Sequence, residues 1–425
     1  MKKGLLMTSA LVAAGTLAIA DDAWAQKAAN PVTLTVGGYA EQAIGFSFGR
    51  RDSVQQTGLA GNTPGSYGAP NGTFDQQTES EVHFIGNGRL DNGLVIRAVI
   101  EFEVTGSPGN LIDEQFLILR NGFGQVILGN EDSAASLMTT GYATVLPVSA
   151  GHTIIFDTTD FISAPAAFSP GGSPLLGSIR DSRIDSFDND SSKITYITPR
   201  FFGFQFGASY SPEAQQQLNI HPNTSPATGV TTGQDTGNRP PIKTVWSDGF
   251  FGAVNFETKF DQVGIGLAAG YQTASNAGTS QVLKTTKDPE TFIFGGRVDF
   301  AGITALAGYK KTLHLRAGDG IVGGAPGSVS KNGDTISGGV LYRAGPNWFS
   351  FTATKGSDMG TLAVPGDDEQ FTAIASYRRI LAPGVSWRAN VVYVDFDNEP
   401  APAATPLSQP DYDEWAITTS FRLDW

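Results

Sequence analysis

Along most of this chain apolar and polar side chains alternate one by one. In "TFIFGGRVDF" Phe292, Phe294, Val298 and Phe300 share one parity, while Arg297 and Asp299 take the other. In "FFGFQFGASY" Phe202, Phe204, Phe206, Ala208 and Tyr210 alternate with small or polar residues. "GLVIRAVIEFEV" sets Ile96, Ala98, Ile100, Phe102 and Val104 against Arg97, Glu101 and Glu103, and "GVSWRANVVYVDF" sets Val385, Trp387, Ala389, Val391 and Tyr393 against Arg388 and Asn390. A period of two is that of a strand with one apolar and one polar face. Helical periodicity is nearly absent, because Gly interrupts most windows long enough to carry it. The alternation runs to the last residue: Trp415, Ile417, Thr419, Phe421, Leu423 and Trp425 against Ala416, Thr418, Ser420, Arg422 and Asp424. Chain ends usually fray, so this one is expected to be held by a neighbouring strand.

The connectors alternate between two lengths. Short ones carry turn residues: "DNG" at 91–93, "NGFG" at 121–124, "PRFFG" near 200, "AG" at 301–302, "AGPN" at 344–347 and "APG" at 382–384. Long ones, rich in Gly, Ser, Thr, Asn and Pro, cover roughly 50–74, 131–190, 213–240, 274–288, 316–333, 357–367 and 397–411. Short and long in turn mark an up-and-down meander, and we count sixteen strands, with 213–260 the irregular region. An even number of two-faced antiparallel strands predicts a closed transmembrane β-barrel with turns at one rim and loops at the other. A soluble β-sandwich is the competing reading. The aromatics favour the barrel: Phe46, Phe48, Phe201, Phe202, Tyr210, Phe250, Phe251, Tyr271, Tyr309, Tyr342, Trp348, Tyr377, Trp387 and Tyr393 sit near strand ends, where lipid headgroups would lie. Closure pairs the first and last strands, removes the sheet's only edge and places Trp425 at the periplasmic lipid interface.

Composition sharpens this. Charged residues make up 16% of the 425 residues, below the roughly 25% of soluble proteins, and 52 glycines replace them. The net charge of -13 argues against nucleic acid. The absence of Cys excludes disulfides, thiolate metal sites and Cys nucleophiles. At the amino end a basic "MKK", an apolar "GLLMTSALVAAGTLAIA" and the small-x-small "AWA" form an export signal over 1–25, cleaved before Gln26. Residues 26–425 are then one barrel domain. No later apolar run reaches the roughly 18 residues of a membrane helix.

The layout resembles the general porins of Gram-negative bacteria, most closely the alphaproteobacterial type, over the whole mature chain. "TTSFRLDW" is similar to the carboxy-terminal signal by which such barrels are recognised for assembly (Phe421, Leu423, Trp425), although Ser420 stands where that pattern usually has Gly. "KITYITPRFFGFQFGASYSP" resembles the hairpin after the porin constriction loop, and "FGQVILGNEDSAAS" the strand that enters it. The resemblance implies a sixteen-stranded barrel and a homotrimer. It would sit in outer-membrane lipid and lipopolysaccharide, be inserted by the assembly machinery, and pass small hydrophilic solutes and ions passively. The third long connector, 131–190, would fold inward and narrow the pore.

Selectivity in such a pore comes from charges opposed across a narrow wet gap. The loop acids are Glu131, Asp132, Asp157 and Asp160. By parity Glu79, Glu81, His83, Asn87 and Arg89 face the lumen, as do Arg97, Glu101 and Glu103, while Val82, Phe84, Ile96 and Ile100 face outward. Arg97 and Arg89 are expected to oppose the loop acids, with His83 and Glu101 beside them; Arg120, Arg297, Arg378 and Arg388 are further wall candidates. No row of aromatics or basic residues is visible by parity, which favours a weakly cation-selective general channel over the alternative, a substrate-specific porin of sixteen or eighteen strands. The acids Asp181, Asp185, Asp188 and Asp190 lack the spacing of a calcium loop, so no metal is assigned, and no cofactor. The four His have no recognisable catalytic partners, and neither GxSxG nor GxxxxGK[ST] occurs, so no enzymatic site is expected.

Overall fold

A computed structural model describes residues 28–51, 74–103, 112–145, 148–150, 191–212, 246–276, 288–316, 330–359, 367–397 and 412–425. The expected export signal, Asp157, Asp160 and the acids at 181–190 lie outside these. Sixteen strands are formed. They are β1 (Ala28–Arg51), β2 (Asp75–Leu90), β3 (Val95–Glu103), β4 (Ile112–Asn121), β5 (Gly124–Asn130), β6 (Ser192–Ile197), β7 (Phe204–Ser211) and β8 (Trp246–Phe260). There follow β9 (Val263–Asn276), β10 (Glu290–Phe300), β11 (Ile303–Arg316), β12 (Ser330–Ala344), β13 (Asn347–Met359), β14 (Asp367–Ala382), β15 (Val385–Asp397) and β16 (Tyr412–Asp424). One helix, α1 (Ala134–Ala143), follows β5.

Each strand pairs antiparallel with the next and β16 returns to β1, closing the ring. Among the described residues no helix is long and apolar enough to cross a membrane. A bilayer core offers no water to backbone N–H and C=O groups, so a closed sheet is the remaining way across. Of the region 213–260 expected to be irregular, 213–245 lies outside the described residues; the remainder contains a register shift between Ser247 and Phe250, with Asp248 at φ 51°.

The outward face carries Phe204, Phe206, Phe292, Phe294, Phe349, Phe351, Ile417 and Phe421, all exposed, whereas Thr291, Thr304, Thr352, Thr418 and Ser420 on the other face are buried. Two aromatic rows encircle the β13–β16 sector. Phe349, Tyr377 and Trp387 touch in sequence near the short turns, with ring centroids 5.1 and 5.5 Å apart. Toward the long connectors, Phe371, Tyr393 and Trp415 do the same at 6.4 and 4.7 Å. Tyr377 and Phe371 are six residues apart on one strand, so at about 3.3 Å per residue the rows are separated by roughly 20 Å along the tilted strand, a spacing that fits within the height of an apolar band. Two aromatics depart from the expected belt: Phe251 is fully buried and Trp348 half-buried on the inner face. Both share parity with the polar inner positions of their strands, and proximity to a strand end does not reveal parity.

The carboxy terminus is held as expected. β1 pairs β16 from Tyr39↔Asp424 to Arg51↔Tyr412, and the last residue is included, Trp425 N donating to Gly38 O at 3.1 Å. Gly38 has φ 145°, and a Cβ there would overlap the Glu81 carbonyl oxygen, so this closing position requires glycine. Phe421, Leu423 and Trp425 point outward and are exposed. On the inner face Glu41 accepts from Ser420 Oγ at 2.6 Å and Arg388 Nη1 at 3.0 Å, with Arg422 Nη1 at 3.7 Å. Ser420, which departs from the expected terminal pattern, therefore has a physical reason to stand there: its hydroxyl completes a buried ionic knot spanning β15, β16 and β1.

The helix was not anticipated. Ser133 caps it, its Oγ accepting from Ser136 N at 3.3 Å. It lies against the inner wall of β7–β11 in a groove made by Gly207, Gly266, Gly295 and Gly308, which Gly339 on β12 extends. A Cβ on Gly295 would sit 2.6 Å from Ala143 Cα, and one on Gly308 would overlap the Ala143 carbonyl oxygen. Glycine within a strand marks a place where another backbone must approach.

Candidate functional site

The described part of the 131–190 connector forms a strap across the inner wall. Ala134 N donates to Ser209 Oγ at 2.8 Å, Asn255 Nδ2 donates to Met138 O at 3.2 Å, and Arg297 Nη1 donates to Gly141 O at 2.9 Å. Tyr142 Oη donates to Glu257 Oε1 at 2.5 Å, with Arg297 over its ring at 5.1 Å. Burial, reinforced by that Glu257 carboxylate, pushes the Tyr142 phenol up to about 12, which keeps it a neutral donor. Beyond α1, Val145, Val148 and Ala150 bury themselves against Leu306 and Leu341, with Trp348 packed alongside, and Ala150 N donates to Ser350 Oγ at 2.7 Å. The strap thus runs from β7 to β13.

The wall it leaves uncovered is charged, and the sign changes across the seam between β16 and β2. On β1–β3 the Tyr39 hydroxyl lies 2.7 and 2.8 Å from carboxylate oxygens of Glu79 and Glu81. His83 Nε2 is 2.9 Å from Glu81 and 3.8 Å from Glu101. Glu81, His83 and Glu101 bring three ligand atoms within 4.8 Å of one another, a donor set able to hold a divalent cation. Glu101 also lies within electrostatic reach of Asp113 and Arg97. Two of the expected loop acids extend this acidic sector. Glu131 hydrogen-bonds Glu114 and lies near Asp132, Glu101 and Lys193; Lys193 Nζ also donates to its backbone carbonyl. Burial first, then the neighbouring carboxylates, push the Glu131 carboxyl up to about 7, while the Glu114 contact and Lys193 pull the other way. Its Oε2 is buried without a donor, as suits a protonated carboxyl.

The sequence-predicted residues fall as follows. His83, Glu101, Glu131 and Asp132 come together in the acidic sector. Arg97 and Arg89 are exposed and, among the described residues, neither makes an ion pair with the loop acids. Asp157 and Asp160 lie outside the described residues.

A basic row, read as absent by parity, is present. Arg378 of β14 stands directly opposite both Trp348 of β13 and Arg388 of β15, with Arg343 of β12 opposite Trp348 and Arg422 of β16 opposite Ser386. Parity along one strand cannot reveal a row that runs across five strands. The available signal was the recurrence of an inward basic residue a few positions from successive short turns.

The chain matches the family model described as "Gram-negative porin" over residues 8–399. No curated protein matches it. Among solved structures, an anion-selective porin from Comamonas acidovorans is 13% identical with a TM-score of 0.56, covering 93% of this chain and 100% of its own. The outer membrane channel DcaP of Acinetobacter baumannii is 10% identical with a TM-score of 0.56, covering 94% and 99%. Salmonella typhi OmpF is 13% identical with a TM-score of 0.53, covering 92% and 97%. These structures share the fold of this chain, whose sixteen antiparallel strands close into a ring. Together with the family match over most of its length, the ring makes this chain a member of the Gram-negative porin family, an outer-membrane channel.

Proposed function

We propose that the protein is a general diffusion porin: a water-filled, weakly cation-selective channel for small hydrophilic solutes and ions, exported with a signal peptide cleaved after residue 25 and working as a homotrimer. The observation that carries the reading is the charged sector of the inner wall that the described part of the strap leaves free. Glu79, Glu81, Glu101 and Glu103 lie on its β2–β3 side, joined by Asp132 and Glu131 of the strap, while arginines occupy β12 and β14–β16. A strap on one wall and a transverse field on the other is an arrangement that narrows a pore without closing it. Family membership supports the trimer and the outer-membrane lipid, lipopolysaccharide and assembly-machinery partners. The preference for cations is modest because charges in a wide lumen are screened within about 8 Å at physiological salt.

The test is conductance of the purified protein in a planar bilayer under a salt gradient. Ohmic steps in groups of three with a cation-directed reversal potential are expected. No steps would overturn the channel, and a clear anion-directed potential would overturn the selectivity. Phe421, Leu423 and Trp425 are proposed as the assembly signal. Deleting Trp425 is expected to deplete heat-resistant trimer in the outer membrane, and undiminished trimer would refute that role.

A further inference from the structure

The basic row contains a feature that weak cation selectivity does not call for. Arg343 and Arg378 both lie over one indole, their Cζ atoms 5.2 and 5.0 Å from the Trp348 ring centroid. Among the described residues neither has a carboxylate within ion-pair distance, and Arg378 makes no hydrogen bond. Its Nε is nevertheless buried and without an acceptor. Arg343 commits one N–H, from Nη1 to Thr304 Oγ1 at 3.0 Å. Directly across from Arg378 stands Arg388, another cation, whose carboxylate partner Glu41 is shared with Ser420 and Arg422. An arginine fork oriented by a ring, facing a like charge and lacking an acceptor is a group arranged to receive one from outside.

We propose that Arg343 and Arg378, oriented by Trp348, form a binding site for the oxyanion group (carboxylate or phosphate) of a small solute in the channel. Guanidinium forks match the paired oxygens of both groups and bind them bidentately. The location suits capture in transit. Trp348 packs against the apolar cluster that the end of the strap forms with Leu306 and Leu341 and lies two residues from the short turn at 345–346, so the site sits on the turn-side flank of the strap. Solutes that have passed the acidic sector reach this site beyond the strap. Trp348 keeps the two forks ordered in the absence of ligand, which lowers the entropy lost on binding.

The site rests on the channel reading only for its physiological use; binding itself is measurable without conduction. Succinate and inorganic phosphate are titrated calorimetrically, at low salt, into the full-length protein folded in detergent, alongside Arg378→Gln, Arg343→Gln and Arg120→Gln. Each variant is first shown to migrate as folded barrel. Saturable binding of at least one probe is expected, weakened on the order of tenfold or more in Arg378→Gln and Arg343→Gln and unchanged in Arg120→Gln, a lumen arginine elsewhere on the wall. The two probes separate carboxylate from phosphate solutes. No binding of either probe, or equal binding in all variants, would overturn the site. Bilayer conductance in KCl, run on the same preparations, reports separately on the channel.

Discussion

The two halves of the inner wall follow opposite rules. From β7 to β12 the wall works by what its residues lack: Gly207, Gly266, Gly295, Gly308 and Gly339 clear a groove and the strap fills it. From β14 through the seam to β3 it works by what its residues carry, with Arg378, Arg388, Arg422, Glu41, Glu79, Glu81 and Glu101 projecting into the lumen. A surface meant to be covered is specified by shape, because apolar contact between backbones gains from close packing. A surface meant to stay wet is specified by charge. The seam shows that the second rule also holds the ring together: Glu41 and Arg388 are each 2% exposed, and a buried ion pair that loses one partner leaves an uncompensated charge.

Three substitutions probe the contrast. The largest effect is expected from Glu41→Ala, which removes from the seam the carboxylate that Arg388 pairs with at 3.0 Å; Arg422 keeps Asp424 at 2.7 Å. The change should cost about 3–5 kcal/mol. It would be read as a fall in the temperature at which the barrel unfolds in detergent. Pairing Glu41→Leu with Arg388→Met should recover most of the loss, and a harmless single change would mean that the seam is not held by charge. Next comes Gly308→Val, whose side chain would occupy the position of Ala143 in the strap. A destabilisation of about 1–3 kcal/mol and a larger single-channel conductance are expected, while Gly338→Val, on the outward face, should do neither. Unchanged conductance in Gly308→Val would break the link between groove and strap. The smallest effect concerns Glu131. With its carboxyl pushed up to about 7, it is neutral below that pH and negative above it, so cation preference should rise as pH goes from 6 to 8. Glu131→Gln should flatten that rise, and a persistent rise in the variant would assign it to other groups.

How much of this could be read from the chain depends on which rule applies. The strands were legible because lipid outside and water inside impose alternation residue by residue, as Ala416, Thr418 and Ser420 against Ile417, Phe421 and Leu423 show. The strap helix was not. Its stability comes from glycines far along the chain, and α1 itself includes Gly141 and carries no helical stripe strong enough to announce it. The acidic sector was partly legible, since Glu81, His83 and Glu101 share parity on neighbouring strands. The arginine row was hidden because its members come from different strands, each an isolated residue in its own segment. What aligns them is register, and register follows from turn lengths and closure. For Ser420 the departure from the family pattern was visible, whereas its reason, a partner 379 residues away, was not.

That separation also has a chronological meaning. Glu41 emerges 379 residues before Ser420, so the contact that closes the ring joins an older part of the chain to a much younger one. Contacts of such long range form late, after the loop that joins them has been ordered. Any chain cut short before β16 keeps two open strand edges, the kind of surface that recruits other strands. Completion is thus tested by the geometry itself: a full-length chain can close its own edges, and a truncated one presents them to whatever disposes of unfinished proteins.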